Sequence, residues 1–227
     1  MSSLPWDYIA KLVCIGDSGC GKSSLTIRLC EGRFVQHHDV TIGVEFGSRI
    51  VPPPRAQPKD TTPQKHMKLS LWDTAGQETY KSVTRSYFRG ASGALLVFDL
   101  CRKSTFLHVT DWLNDLRQIA EPDIVVILVG NKADLAHGDK REVTAEEATA
   151  WARRNGVMRY VETSAKTGEY VEEAFLAVAE RIYQNIQAGK YDLNDRRSGV
   201  KGQATGWNGG SNVKLDANKH AGGGMCC

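Results

Sequence analysis

The stretch that decides the fold is YIAKLVCIGDSGCGKSSLTIRLCE, residues 8–31. Its first nine residues are a near-continuous apolar run of strand length, as expected of a strand covered on both faces. Residues 16–23, GDSGCGKS, then follow the pattern G-x-x-x-x-G-K-S, and 22–31 carry helical spacing. Strand, glycine-rich loop and helix form the context in which that pattern binds phosphate. The glycines let backbone N–H groups turn inward, and a helix N-terminus favours an anion. The whole loop is implicated: Gly16, Asp17, Ser18, Gly19, Cys20, Gly21, Lys22, Ser23 and Ser24. Lys22 is placed to reach terminal phosphates, and the Ser23 hydroxyl to meet Mg2+.

Outward from this stretch the alternation continues. ALLVFDL (94–100) and IVVILVG (124–130) read as buried parallel strands. Segments 104–120, 144–155 and 170–188 read as helices. In the last, Val171, Ala174, Phe175, Val178, Ile182 and Ile186 form one apolar stripe, with Gly189 as a stop. TIGVEFGSRIV (41–51) and MKLSLWD (67–73) alternate and predict a hairpin at one sheet edge. Strands and helices in turn predict an α/β domain over residues 6–189. Between the hairpin strands, residues 52–66 hold five of the seven prolines and no P-x-x-P, which argues against an SH3 ligand. A stiffened, variable hairpin end is expected there. Residues 190–227 are rich in Gly, Asn and Lys, and disorder is expected of them.

Composition narrows the function classes. A net charge of +3 over 227 residues gives no ground for nucleic-acid binding. No run of about 18 apolar residues is present, and residues 1–19 lack a signal-peptide pattern, so a cytosolic chain is expected. Cys14, Cys20, Cys30 and Cys101 are scattered singly, as reduced thiols would be. The chain closes on AGGGMCC (221–227), whose paired cysteines leave open a disulfide, a metal site or an attachment point.

Three further loops follow strands. DTAG (73–76) offers an acidic residue for a metal and a glycine N–H for a terminal phosphate. NKAD (131–134) and TSAK (163–166) follow the next strands, and open α/β sheets bind ligands at the carboxyl ends of their strands. A carboxylate at Asp134 can only accept hydrogen bonds. Guanine presents it a ring N–H beside an amino group, whereas adenine presents an acceptor. Guanine is therefore the expected base, which disfavours a P-loop kinase or ATPase.

The motifs GDSGCGKS, TIGVEF, WDTAGQE, GNKAD and ETSAK, in this order, resemble the Rab small GTPases over residues 6–189. TIGVEFGSR and SVTRSYFRGASGALLVFDL are Rab-like rather than generally Ras-like. IYQNIQAGKYDLNDRRSGVKG with the final cysteines looks most like the Rab-two type, with the Rab-four and Rab-fourteen types as neighbours. The resemblance implies a three-layer P-loop domain, in which helices cover both faces of a mostly parallel six-stranded sheet with one antiparallel edge strand. It implies GTP and GDP as bound nucleotides, Mg2+, and slow hydrolysis that a GTPase-activating protein accelerates. It also implies an exchange factor, effectors and a GDP-dissociation inhibitor or escort protein for an otherwise monomeric chain.

Residue by residue, the resemblance puts Lys22 and the Gly19 and Gly21 amides on phosphate. Ser23 and Thr41 meet Mg2+, with Asp73 behind a water. Phe34 lies edge-on to the base and Lys132 covers its face. Asn131 ties the loops, Asp134 reads guanine, the Ala165 N–H meets the base carbonyl, and Ser164 and Lys166 flank it. Gly76 senses the γ-phosphate and Gln77 orients water. Ile42, Phe46, Trp72 and Tyr87 match the effector surface, and Cys226 and Cys227 match a doubly geranylgeranylated end. The end is not C-a-a-X, since Gly224 is fourth from last. The resemblance also implies vesicle traffic on the cytoplasmic face of Golgi, ER–Golgi or endosomal membranes, with a cytosolic GDP-bound pool.

Three departures stand out. Cys20 replaces the family's usual valine and reads as a small buried thiol. LVFDLC replaces the usual Tyr and Thr as a packing variant. His37 and His38, in the first switch loop, read as solvated residues rather than a pH sensor. No arginine is evident as a cis-acting finger, so intrinsic turnover is expected to be slow. A rival keeps this fold as a GTP-locked scaffold without regulated hydrolysis; Gln77 and the intact metal residues argue against it.

Overall fold

A computed structural model describes residues 5–36, 39–52, 65–77, 81–193, 195 and 199–202. His37, His38, most of the proline-rich insert, and the end bearing Cys226 and Cys227 lie outside the described residues. The strands are β1 (Tyr8–Ile15), β2 (Val44–Val51), β3 (Met67–Thr74), β4 (Gly93–Asp99), β5 (Val125–Asn131), β6 (Arg159–Thr163) and β7 (Val200–Gly202). The helices are α1 (Lys22–Glu31), α2 (Lys81–Ser86), α3 (Lys103–Leu107), α4 (Val109–Ile119), α5 (Ala145–Arg154) and α6 (Val171–Gln187). The main path of the seven-stranded sheet runs β2-β3-β1-β4-β5-β6 and is parallel except for the β2 edge, with β7 joining β1 off that path. This is the predicted α/β architecture.

Two apolar layers explain why it holds. Every residue of β4 and β5 is buried, so alternate side chains serve opposite faces. On β1, Leu12 and Cys14 join α1 and α6 side chains such as Leu25, Phe175 and Val178. Val13 and Ile15 join Phe88, Trp112, Leu116 and Trp151 on the other face. Burying a large apolar side chain contributes about 1.5–3 kcal/mol, so these layers fix each strand's carboxyl end and the loop that follows it.

Two features depart from expectation. The predicted helix 104–120 is broken at His108, which ends α3 and starts α4. No proline or glycine marks the break, and the His108 ring turns to the Asp17 carboxylate. The larger correction concerns part of the segment 190–227, expected to be disordered, at its described residues 190–193, 195 and 199–202. Tyr191 and Leu193 pack on the core, and Val200 is fully buried in β7, which pairs antiparallel with Tyr8–Ala10 of β1. The reason lies in the sheet: β4 pairs with β1 only from Leu12 onward, leaving the first half of that β1 edge for another strand. Gly199 permits the approach, since a Cβ there would collide with the Gly90 carbonyl.

Candidate functional site

The loops after β1, β3, β5 and β6 meet around a cavity of about 440 Å3. It is lined by Ser18, Gly19, Gly21, Lys22, Ser23 and Ser24 of the first loop, Phe34 and Thr41 of the next connection, and Gly76 after β3. Asn131, Lys132, Asp134, Ala165 and Lys166 complete the lining from the far side. Val35, Gln36, Asp39, Val40 and Leu135 also line it; no motif marks them, because they border the space without a distinctive polar pattern.

The phosphate-loop residues divide by direction. Gly21, with φ of 88°, opens α1, and a Cβ there would run into the Asn131 amide. Lys22 is 5% exposed and donates to the Gly16 and Asp17 carbonyls at 2.9 Å each. Burial pushes its ammonium below the usual lysine range, against the pull of Asp73 and Asp17. Lys22 is thus a charge held inside a curl of backbone. Asp17 contributes its carbonyl there, while its side chain turns outward, accepting from Trp112 Nε1 at 2.8 Å and meeting His108 Nδ1 at 2.7 Å. Cys20 is buried, and its carbonyl accepts from Asn131 Nδ2 at 2.8 Å. Burial raises its thiol pKa, as suits an inert packing residue.

Two of the three metal-ligand candidates meet. The Ser23 and Thr41 hydroxyl oxygens lie 2.9 Å apart. Asp73 is fully buried near the end of β3, beside Cys14 of β1, and burial together with the Asp73 charge pushes the Cys14 thiol up to about 12. Two hydroxyls and a carboxylate are hard oxygen donors, and Mg2+ is commonly held by a few such groups plus phosphates. The donor set fits that ion. Gly76 lies against the loop so closely that a Cβ would come within 2.5 Å of the Asp17–Ser18 peptide. Gln77 follows, half-buried and outside the lining.

At the opposite end Asn131 ties three segments together. Besides the Cys20 carbonyl, its Oδ1 accepts from Thr163 Oγ1 and from the Ala165 N–H, each at 3.2 Å. The Ala165 amide, expected to face a base carbonyl, thus donates to Asn131. Ser164 sits behind the wall and donates to Asp134 Oδ1 at 2.7 Å, orienting that carboxylate while leaving acceptor capacity on both oxygens. Lys132 pairs with Asp99 at 2.8 Å. Arg28, which sequence reasoning missed, grips the Ala165 and Lys166 carbonyls at 2.8 and 2.5 Å; its partners are backbone atoms far along the chain and leave no motif.

A third cluster faces outward. Phe46 and Trp72 are cross-strand partners with ring centroids 4.4 Å apart, and Tyr87 lies 5.4 Å from Trp72. Lys11 Nζ sits 4.1 Å over the Trp72 ring. Phe46 is 65% exposed and Ile42 77%, an apolar surface beside the cavity.

A sequence model of the Ras family matches residues 11–184, and the chain belongs to that family. Ras-family proteins are small GTPases: they bind GTP and GDP with Mg2+ and act as switches with exchange factors, activating proteins and effectors.

Proposed function

We propose that this chain is a Rab-type switch, most like the Rab-two type, which hydrolyses GTP slowly and recruits effectors to membranes of vesicle traffic while GTP-bound. The observation that carries the reading is the Phe46–Trp72–Tyr87 cluster, with Phe46 and Ile42 exposed and the Trp72 and Tyr87 rings half-buried beside them, flanked by the connections bearing Thr41 and Gly76. Apolar residues that a monomer leaves open beside a ligand site suit a partner that reads the ligand's state.

In this reading Lys22 and the Gly19 and Gly21 amides hold phosphate, with the rest of 16–24 shaping the loop. Asp134 discriminates guanine by accepting two hydrogen bonds that adenine cannot supply. Ser164 and Asn131 hold that carboxylate and the surrounding loops in place, and Phe34, Lys132, Ala165 and Lys166 enclose the base. Ser23, Thr41 and, through water, Asp73 would hold Mg2+, which when bound neutralises charge developing on the phosphates. Gln77 orients the attacking water, and Gly76 couples the terminal phosphate to the loop beside Tyr87.

The lipid assignment rests on the adjacent Cys226 and Cys227 after a run of glycines. One lipid chain gives only marginal, reversible membrane binding. Scattered lysines provide no polybasic second signal, so geranylgeranyl groups on both Cys226 and Cys227 are proposed. A GDP-dissociation inhibitor or escort protein then carries the GDP-bound form in the cytosol. The test is fractionation and imaging of an N-terminally tagged chain beside Golgi, ER–Golgi and endosomal markers. Wild type should be membrane-bound on one of these compartments, and Cys226→Ser with Cys227→Ser should be soluble with unchanged GTP binding. Pelleting of the double variant with membranes overturns the anchor, and wild type absent from all three compartments overturns the trafficking role.

A further inference from the structure

Outside the cavity, one arginine that no motif marks reaches the phosphate loop from behind. Arg102, just after β4, donates from Nη2 to the Ser18 carbonyl at 2.7 Å and lies 3.8 Å from Cys20 Sγ. Both of its guanidinium Nη atoms fall within 3.7 Å of where a Gly19 Cβ would stand. The arginine is anchored at its backbone. Its N–H donates to the Asp99 carbonyl at 3.1 Å, and its own carbonyl accepts from Thr105 Oγ1 at 2.7 Å. Asp99 is the residue paired with Lys132, so one turn joins the base-side loop to the phosphate loop.

The direction of the Ser18 bond decides what it does. Every peptide bond in the described residues is trans, so the Ser18 C=O and Gly19 N–H point in opposite directions. With the carbonyl held outward by Arg102, the Gly19 N–H is aimed at the concave side, where Ser18, Gly19, Gly21 and Lys22 line the cavity. A cation on the carbonyl oxygen also draws electron density along the peptide and strengthens the opposite N–H as a donor. His108 and Trp112 brace the preceding residue through the Asp17 carboxylate, so residues 17 and 18 are both fixed from outside.

We propose that Arg102 is a positioning residue for the phosphate chemistry: it orients and polarises the Ser18–Gly19 peptide so that the Gly19 N–H meets the β/γ end of the bound nucleotide. Arg102 acts on the outer face and touches no phosphate, so it is no substitute for a finger supplied by an activating protein. The inference rests on the phosphate-loop reading of residues 16–23. An effect of about tenfold is expected, the lower end for a charge-assisted hydrogen bond because the arginine is exposed.

The experiment uses the full chain loaded with fluorescent GDP and Mg2+, comparing wild type with Arg102→Ala, Arg102→Gln and Arg102→Lys. Arg102→Ala should release GDP about tenfold faster and hydrolyse GTP several-fold more slowly in a single turnover. It should also move the 31P resonance of the bound β-phosphate at an unchanged melting temperature. Arg102→Lys should recover more of both rates than the neutral Arg102→Gln. Wild-type release and an unmoved 31P resonance in Arg102→Ala overturn the proposal. So does a uniform loss in all three variants that tracks a fall in melting temperature. If wild type itself binds no GDP, the phosphate-loop reading fails instead.

Discussion

At the scale of single residues, the proposed base specificity turns on Asp134 and the groups that hold it. Its Oδ1 is fixed by Ser164, and Asn131 bonds the neighbouring Ala165 amide and the Cys20 carbonyl. A buried site with unmatched polar groups rejects the wrong base by orders of magnitude. Asp134→Asn should therefore lower GTP affinity at least 100-fold and raise affinity for xanthosine triphosphate, whose extra carbonyl accepts from the new amide. Displacement of fluorescent GDP by each nucleotide measures both; an unchanged preference removes Asp134 from the base site. These residues were legible because NKAD and TSAK stand directly after strands. Arg102 and Arg28 were not, because they act on carbonyls 84 and 137 positions away, and a backbone acceptor carries no residue identity. The outward turn of the Asp17 side chain was hidden for a similar reason: its partners sit on a helix whose break at His108 has no proline or glycine to announce it.

Among the elements, β4 and β5 were read directly from unbroken apolar runs, since burial on both faces demands them. The β2–β3 hairpin was read from alternation, and its observed register sets Phe46 against Trp72. The C-terminal end of the proline-rich insert is tied to Asp7, which pairs with Lys65 at 2.9 Å and accepts from the His66 N–H at 2.8 Å. The hidden element was β7. Val200 is a lone apolar residue in a polar, glycine-rich stretch, and only the open half of the β1 edge gives it a partner. Its burial shows that residues past 189 contribute to stability. Val200→Ala removes two buried methyl groups, a loss of about 2 kcal/mol. The melting temperature should fall by roughly 4–8 °C, with nucleotide affinity unchanged because β7 lies on the N-terminal half of β1. An unaltered melting temperature would mean that β7 adds nothing to the domain.

For the whole molecule, two apolar layers hold a sheet rigid while the connections at its carboxyl edge carry the site. The segments bearing Thr41 and Gly76 border both the cavity and the aromatic cluster, so a ligand ordering them also shapes the surface a partner meets. Release of that ligand's terminal phosphate would loosen both together. Hydrogen exchange on the full-length chain, loaded in turn with GDP and with a non-hydrolysable GTP analogue, tests this coupling most directly. Residues 34–47 and 74–90 should exchange more slowly with the GTP analogue, while β5 exchanges equally in both states, and a Gln77→Leu variant loaded with GTP should keep the slow pattern for longer than wild type. Identical exchange in the two segments with either nucleotide would contradict the switch and favour a scaffold indifferent to its nucleotide.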